Sequence, residues 1–130
     1  MIKFTVNSSA RNQILDITSQ IEKRLPGGFS GIAMVFVPHT TAAITINEGA
    51  DPSVKSDLLG HLEKLVPQSG SFRHSEGNSD AHIKSALIGN STNIIVDNGR
   101  LVLGKWQAVY FCEFDGPRER NIYLELLKNE

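Results

Sequence analysis

The chain has 130 residues, of which 40% are hydrophobic and 21% charged, and its formal net charge is −1. This suits one globular domain with its own core, and the scattered Lys and Arg form no basic stripe of the kind that broad nucleic-acid binding requires. No apolar run approaches the length of a membrane span, and the N-terminal MIKFTVNSSARNQ lacks a hydrophobic signal core, so a cytoplasmic protein is expected.

Ile2 to Val6 and Gln13 to Ile17 are short apolar stretches split by Asn7-Ser8-Ser9-Ala10, and they read as two strands of a hairpin. Thr18 or Ser19 is placed to cap a short helix through Leu25, with Glu22 completing a capping box after Ser19. Pro26-Gly27-Gly28 ends it. Gly31 to Val37 is a near-continuous apolar run, which predicts a strand covered on both faces. Ala42 to Ile46 follows as another strand. Asp51-Pro52 is a strong helix start, and Val54, Leu58, Leu62 and Leu65 recur at helical spacing up to Pro67.

Gln68 to Asn78 is polar and reads as an exposed loop. Ser79 is placed to cap a short helix, SDAHIKSALIG, that Gly89 ends. Asp97-Asn98-Gly99-Arg100 lies between two apolar runs, and Asn-Gly there predicts a hairpin. Trp106 to Phe114 and Asn121 to Leu127 read as strands with Asp115-Gly116-Pro117 turning between them. The only cysteine, Cys112, sits in the apolar run VYFCEF and reads as a small buried hydrophobe. Seven or eight strands with two or three helices in the middle predict a single α+β domain, mostly antiparallel and sandwich-like.

Four histidines stand out. His61 falls mid-helix beside the apolar spacing and is assigned no function. His39 follows a strand end, His74 lies in the polar loop, and His82 falls in the first turns of the helix after it. Such junctions gather functional groups. Three neutral imidazoles with an open fourth position would make a catalytic-type zinc site. Their separations, 35 residues from 39 to 74 and 8 from 74 to 82, match no recognised ligand spacing. From the residues alone, a shared site and unrelated surface or capping histidines both stand.

Glu48 is a candidate general base or a plain loop carboxylate. Asn78, Ser79 and Asp80 precede a helix, where capping and anion binding are both natural. Glu113, Asp115, Arg118 and Arg120 form a dense charged cluster. Glu113 interrupts an apolar strand and needs a partner, for which Arg118 across the turn is the obvious choice. The arginine fork also matches phosphate oxygens.

Together HTTAAITINEGADP, RHSEGNSDAHIKSALIG and DNGRLVLGKWQAVYFCEFDGPRER resemble the YjbQ family, in order and from about Asp16 to the C-terminus. These are small proteins described as secondary thiamine-phosphate synthases and otherwise uncharacterised. The resemblance implies a compact α+β fold with a β-sandwich-like core, a homotrimer, and a polar pocket between subunits. Carried over by position, it implies His39, His74 and His82 as ligands of a divalent metal such as zinc. It implies Asn78 and Arg118 in substrate binding, with hydroxyls from Thr40 and Thr41. The family usually has threonine where this chain has Lys105, which is expected to alter the rim of the site.

Three functions follow. The first is an enzyme that joins a pyrimidine diphosphate to a thiazole phosphate, with Arg118 and a metal meeting the departing pyrophosphate. The second is a metal-dependent hydrolase with Glu48 as base. The third is a non-catalytic trimeric module that binds a small phosphorylated molecule.

Overall fold

The computed structural model describes residues 1–130 and divides into eight strands and three helices. In chain order these are β1 (Ile2–Asn7), β2 (Gln13–Asp16), α1 (Thr18–Glu22), β3 (Gly31–Phe36), β4 (Ala42–Glu48), α2 (Pro52–Leu65), α3 (Ser79–Ile88), β5 (Ser91–Asp97), β6 (Arg100–Leu101), β7 (Gln107–Glu113) and β8 (Glu119–Lys128). One sheet has five strands in the order β1-β8-β3-β5-β6, and the other has three in the order β2-β7-β4. Every pairing is antiparallel. The expected α+β, mostly antiparallel architecture is what the chain adopts.

The two sheets face each other across a core. Phe4, Val35, Val96, Ile122 and Leu124 of the larger sheet meet Ile44, Val109 and Phe111 of the smaller one, and Ile17 and Ile21 close one side. The far face of the smaller sheet carries a second cluster, Ile14, Ala43, Tyr110, Cys112 and Phe114. Ala81 of α3 joins this cluster, and Leu58, Leu59 and Leu62 of α2 pack against it. Strand β7 is therefore covered on both faces, with successive residues alternating between the two clusters. That explains its unbroken apolar run, AVYFC.

Several local expectations are met. Asp51 caps α2 by accepting the Ser53 N–H at 2.9 Å, with Pro52 as the first helical residue. Asn98 and Gly99 turn with φ of 49° and 81°, as a two-residue β5–β6 hairpin demands. Cys112 is buried, and burial pushes its thiol up to about 12.

Other expectations are corrected. β1 and β2 do not form a hairpin. β1 pairs with β8 and β2 with β7, so the segment between them passes from one sheet to the other. Thr18 does not cap α1. Ile17 holds that position without a side-chain bond, while the Thr18 hydroxyl donates to Asp16 Oδ1 and accepts the Val109 N–H. At α3 the capping position belongs to Asn78, and Ser79 is the first helical residue. On α2 Leu59 joins Leu58 and Leu62 in packing, whereas Leu65 is 62% exposed.

β3 differs most from the reading of its sequence. Ala33 and Val35 face the core, but Ile32, Met34 and Phe36 lie on the outer face of the five-stranded sheet. There Ile32 stands opposite Ile95 on one side and Leu127 on the other. The apolar run has an uncovered side.

Two outcomes follow. Phe111 is fully buried between the sheets. Phe111→Ala is expected to lose about 3–5 kcal/mol in urea unfolding. Cys112 is expected to resist a thiol reagent in the native protein at pH 8 and to react fully once denaturant is added.

Candidate functional site

The site begins where β3 ends. Its pairing with β8 runs to Phe36 opposite Tyr123, and the same register would bring Pro38 opposite Asn121. Proline has no N–H to give and the chain turns away. The backbone N–H of Asn121 is taken instead by His39 Nε2, at 2.9 Å. The strand thus carries His39 to a fixed place, with one ring nitrogen already occupied.

The second wall is the turn between β7 and β8. Glu113 ends β7 with its side chain wholly buried, and Arg120 of β8 is 2% exposed. The guanidinium donates Nε to Glu113 Oε1 at 2.9 Å and Nη2 to Oε2. Ser8 Oγ donates to Oε1 at 2.7 Å, and the Asp115 N–H donates to Oε2 at 3.0 Å. Burial alone would raise the Glu113 carboxyl; the hydrogen bonds from Arg120, Ser8 and the Asp115 amide outweigh it and hold it below its ordinary 4.5. Arg120 Nη2 also donates to Thr41 Oγ1 at 2.8 Å. Only Nη1 of Arg120 has no partner within the chain, and Arg120 lines a cleft.

Arg118 stands beside it, half exposed, with Nε donating to the Asp115 carbonyl at 2.9 Å and Nη2 to Asp115 Oδ2 at 3.1 Å. Gly116, in the same turn, is packed so closely on Ala10 and Ser8 that a Cβ would collide with both.

The third wall is the start of α3. Asn78 Nδ2 donates to Asp115 Oδ2 at 2.8 Å, which ties the helix to the β7–β8 turn. Its first turn is held from behind. Asp80, fully buried, accepts two bonds of 3.0 Å from Arg11 and one of 3.2 Å from Lys84 Nζ. Burial alone would raise the Asp80 carboxyl, but these cations hold it below its ordinary 3.8. With Asp80 locked, His82 faces the cleft, and the His74 ring packs edge to face on it at 5.3 Å.

The result is a cleft of about 470 Å³ with no hydrophobic residue in its lining. His39, Thr40, Thr41, His74, Asn78 and His82 meet there, together with Arg118, Arg120, Asp115, Glu76 and Pro38. Seven of the eight expected site residues are thereby brought together. Glu48 is not. It ends β4, whose other end adjoins Thr41, and six residues of strand put it about 20 Å away. There its Oε2 accepts the Ala50 N–H. Lys105 is also remote, folded over the Trp106 ring beside Gly49 and Ala50. It does not form the rim of this cleft.

Thr41 Oγ1 accepts from Arg120, while its own O–H donates to nothing within the chain. Glu113 pairs with Arg120, not with Arg118. Arg120 was the residue to find. In ERNIYLELL it shares the alternation of Ile122 and Leu124, a charged side chain on the core face of a strand.

Three imidazoles hold a metal only when each turns a lone pair to it. His39 Nε2 already accepts the Asn121 N–H, so the neutral ring carries its proton on Nδ1. No three His, Cys, Asp or Glu side chains stand in a metal-holding arrangement. The residues as placed do not fit the three-histidine set, and His39 is instead a hydrogen-bond donor. Burial, and next the Arg120 cation, push its pKa below the ordinary 6.5, so the ring is neutral at pH 7.

The UPF0047 protein YjbQ-like family matches residues 2–129. The chain belongs to this family. It is 47% identical over 129 residues to UPF0047 protein MJ1081 of Methanocaldococcus jannaschii, covering 98% of this chain and 94% of that one. It is 48% identical over 125 residues to UPF0047 protein YugU of Bacillus subtilis, covering 94% and 95%. Among solved structures, a YjbQ/UPF0047 family protein of Clostridium acetobutylicum superposes with a TM-score of 0.94 at 48% identity, covering 98% of this chain and all of the other. The hypothetical protein TT1486 of Thermus thermophilus gives 0.93 at 44% identity, with the same coverage. The family members so matched are described by family or as hypothetical, without an activity.

The cleft rests on buried carboxylates, and this sets its pH response. Glu113 and Asp80 have folded pKa values below their unfolded 4.5 and 3.8, so the native state binds fewer protons in that range. Their contribution is complete above about pH 5 and is lost as pH falls through the depressed values. Urea midpoints are expected to hold from pH 7 to 5 and to fall below pH 4. Glu113→Gln, which leaves a buried guanidinium without its counter-charge, is expected to cost about 3–5 kcal/mol at pH 7 and to flatten that acid dependence.

Proposed function

We propose that this protein binds a phosphorylated small molecule in the polar cleft and catalyses a group transfer in which the phosphate departs as the leaving group. The observation that carries the reading is the donor set. Arg118, Arg120 and His39 line one cleft that has no hydrophobic residue, and Nη1 of each arginine and Nδ1 of the histidine make no hydrogen bond within the chain. Guanidinium forks suit phosphate oxygens, and donors fixed in advance stabilise charge as it develops on a leaving group. Arg120 is fixed by Glu113 and Thr41, so it spends no freedom on binding.

The reaction this reading favours is the one the family resemblance implies. The ring nitrogen of a thiazole phosphate forms a new C–N bond to the methylene carbon of a pyrimidine diphosphate, the C–O bond from that carbon to the diphosphate breaks, and pyrophosphate leaves with the electron pair. Arg118 and Arg120 meet the negative charge of the leaving group, and His39 donates one hydrogen bond to it. A hydrolase with Glu48 as base has no support, because Glu48 is at the far end of β4.

Purified protein is expected to form thiamine phosphate above background. Arg118→Ala is expected to lower the rate at least about tenfold and to leave the unfolding midpoint unchanged, since Arg118 is half exposed. Tight binding of phosphate without product would assign the cleft to a non-catalytic module.

We also propose that the chain assembles as a homotrimer through the outer face of the five-stranded sheet. The support is the row Ile32, Ile95 and Leu127, which are 40%, 63% and 59% exposed. Light scattering is expected to give three times the 14.3 kDa chain mass. Ile95→Glu is expected to lower it.

A further inference from the structure

A second cleft of about 410 Å³ adjoins the first and shares His39, Thr40 and His82 with it. Its remaining lining is Ser85, Ala86, Gly89 and Asn90. The two halves differ in charge. The first contains two guanidinium groups and two carboxylates; the second contains no Asp, Glu, Lys or Arg.

The wall of the second half is firmly built. Ser85 Oγ donates to the Ala42 carbonyl at 2.6 Å, so α3 is fastened to β4 there. Gly89 has φ of 102°, a conformation that favours glycine, and its carbonyl accepts the Ile44 N–H at 3.0 Å. The Asn90 carbonyl accepts the Val37 N–H at 2.8 Å. The Asn90 side chain is exposed and makes no hydrogen bond within the chain, which leaves its amide free to donate and accept.

Resting on the phosphate reading above, we infer that the groove takes a two-part ligand. Its phosphate lies among Arg118, Arg120 and His39, and its uncharged, hydrogen-bonding body lies in the second cleft against Ala86, Gly89 and Asn90. His39 and His82 stand at the boundary, beside the bond that links the two parts. A cavity of this size admits a single sugar or heteroaromatic ring. A body with a carboxylate or an ammonium finds no counter-charge there, whereas a neutral one finds the free donor and acceptor of Asn90. The substrate class is a phosphate ester of a small neutral ring.

The test is a calorimetric series with three probes, namely inorganic phosphate, methyl phosphate and ribose 5-phosphate. Wild type is expected to bind ribose 5-phosphate at least about tenfold more tightly than methyl phosphate, which has the same ester but no body. Ala86→Tyr places a ring in the second cleft from an exposed helix position, so the fold is retained. It is expected to erase that preference while phosphate binds as in wild type. Asn90→Ala is expected to reduce the preference severalfold.

Equal binding of the two esters by wild type would overturn the two-part ligand and leave the phosphate site standing. So would a preference that survives Ala86→Tyr. Failure of all three probes to bind would overturn the phosphate reading itself, and the two-part ligand with it.

Discussion

The ion pair between Glu113 and Arg120 is the constraint on which the rest of the site depends. Neither charge is tolerable alone inside the protein. Together they join the last residue of one sheet's central strand to the second residue of β8 in the other sheet. Ser8 reaches in from the end of β1, and Thr41 from the start of β4. Four segments, from three distant parts of the sequence, are thereby held by one carboxylate and one guanidinium. Nη1 of Arg120 remains unspent, and Arg120 lines the cleft. The same polar cluster that closes this end of the sandwich lines the cleft with a guanidinium.

The cleft is a by-product of where two sheets and a helix end. β3 stops at Phe36, β7 at Glu113, and α3 starts at Ser79. Strand and helix ends leave backbone groups without regular partners. Here some of them are met by side chains that also line the cleft. His39 takes the Asn121 amide and so keeps its own proton on the nitrogen that can donate. Asn78 Nδ2 holds Asp115, which in turn orients Arg118, while Asn78 Oδ1, the oxygen that would cap α3, is buried without a partner. Behind the helix, the buried Asp80 and Lys84, bonded to Arg11 and Glu63 nearer the surface, fix the turn from which His82 projects.

Local signals in the sequence reported local structure well. Asp51-Pro52, Asn98-Gly99 and Gly89 each act within a few residues, and each is where its chemistry predicts. The grouping of His39, His74, His82, Asn78 and Arg118 was reached through the family resemblance, since no spacing joins loops so far apart. Partners across the fold were not legible. A strand pattern says which face is apolar, not which strand lies beside it, so β1 and β2 read as a hairpin although their partners are over 90 residues away. Glu113 was matched to the nearer Arg118, because the turn hides the fact that Arg120 faces inward. Glu48 looked like part of the motif because it follows HTTAAITIN directly, yet a strand carries it away from its own beginning. The apolar run in β3 suggested two covered faces because sequence does not distinguish a face buried in the chain from one left for another surface.

The central claim is that this end of the fold is an oxyanion site in which His39 donates a hydrogen bond. The most direct measurement is the ring nitrogen spectrum of the histidines by ¹⁵N NMR at pH 7, first alone, then with inorganic phosphate, then with zinc. The account predicts a neutral His39 with its proton on Nδ1, shifted by phosphate and unmoved by zinc. A His39 protonated on Nε2, indifferent to phosphate and driven by one equivalent of zinc to the shift of a metal ligand together with His74 and His82, would contradict it.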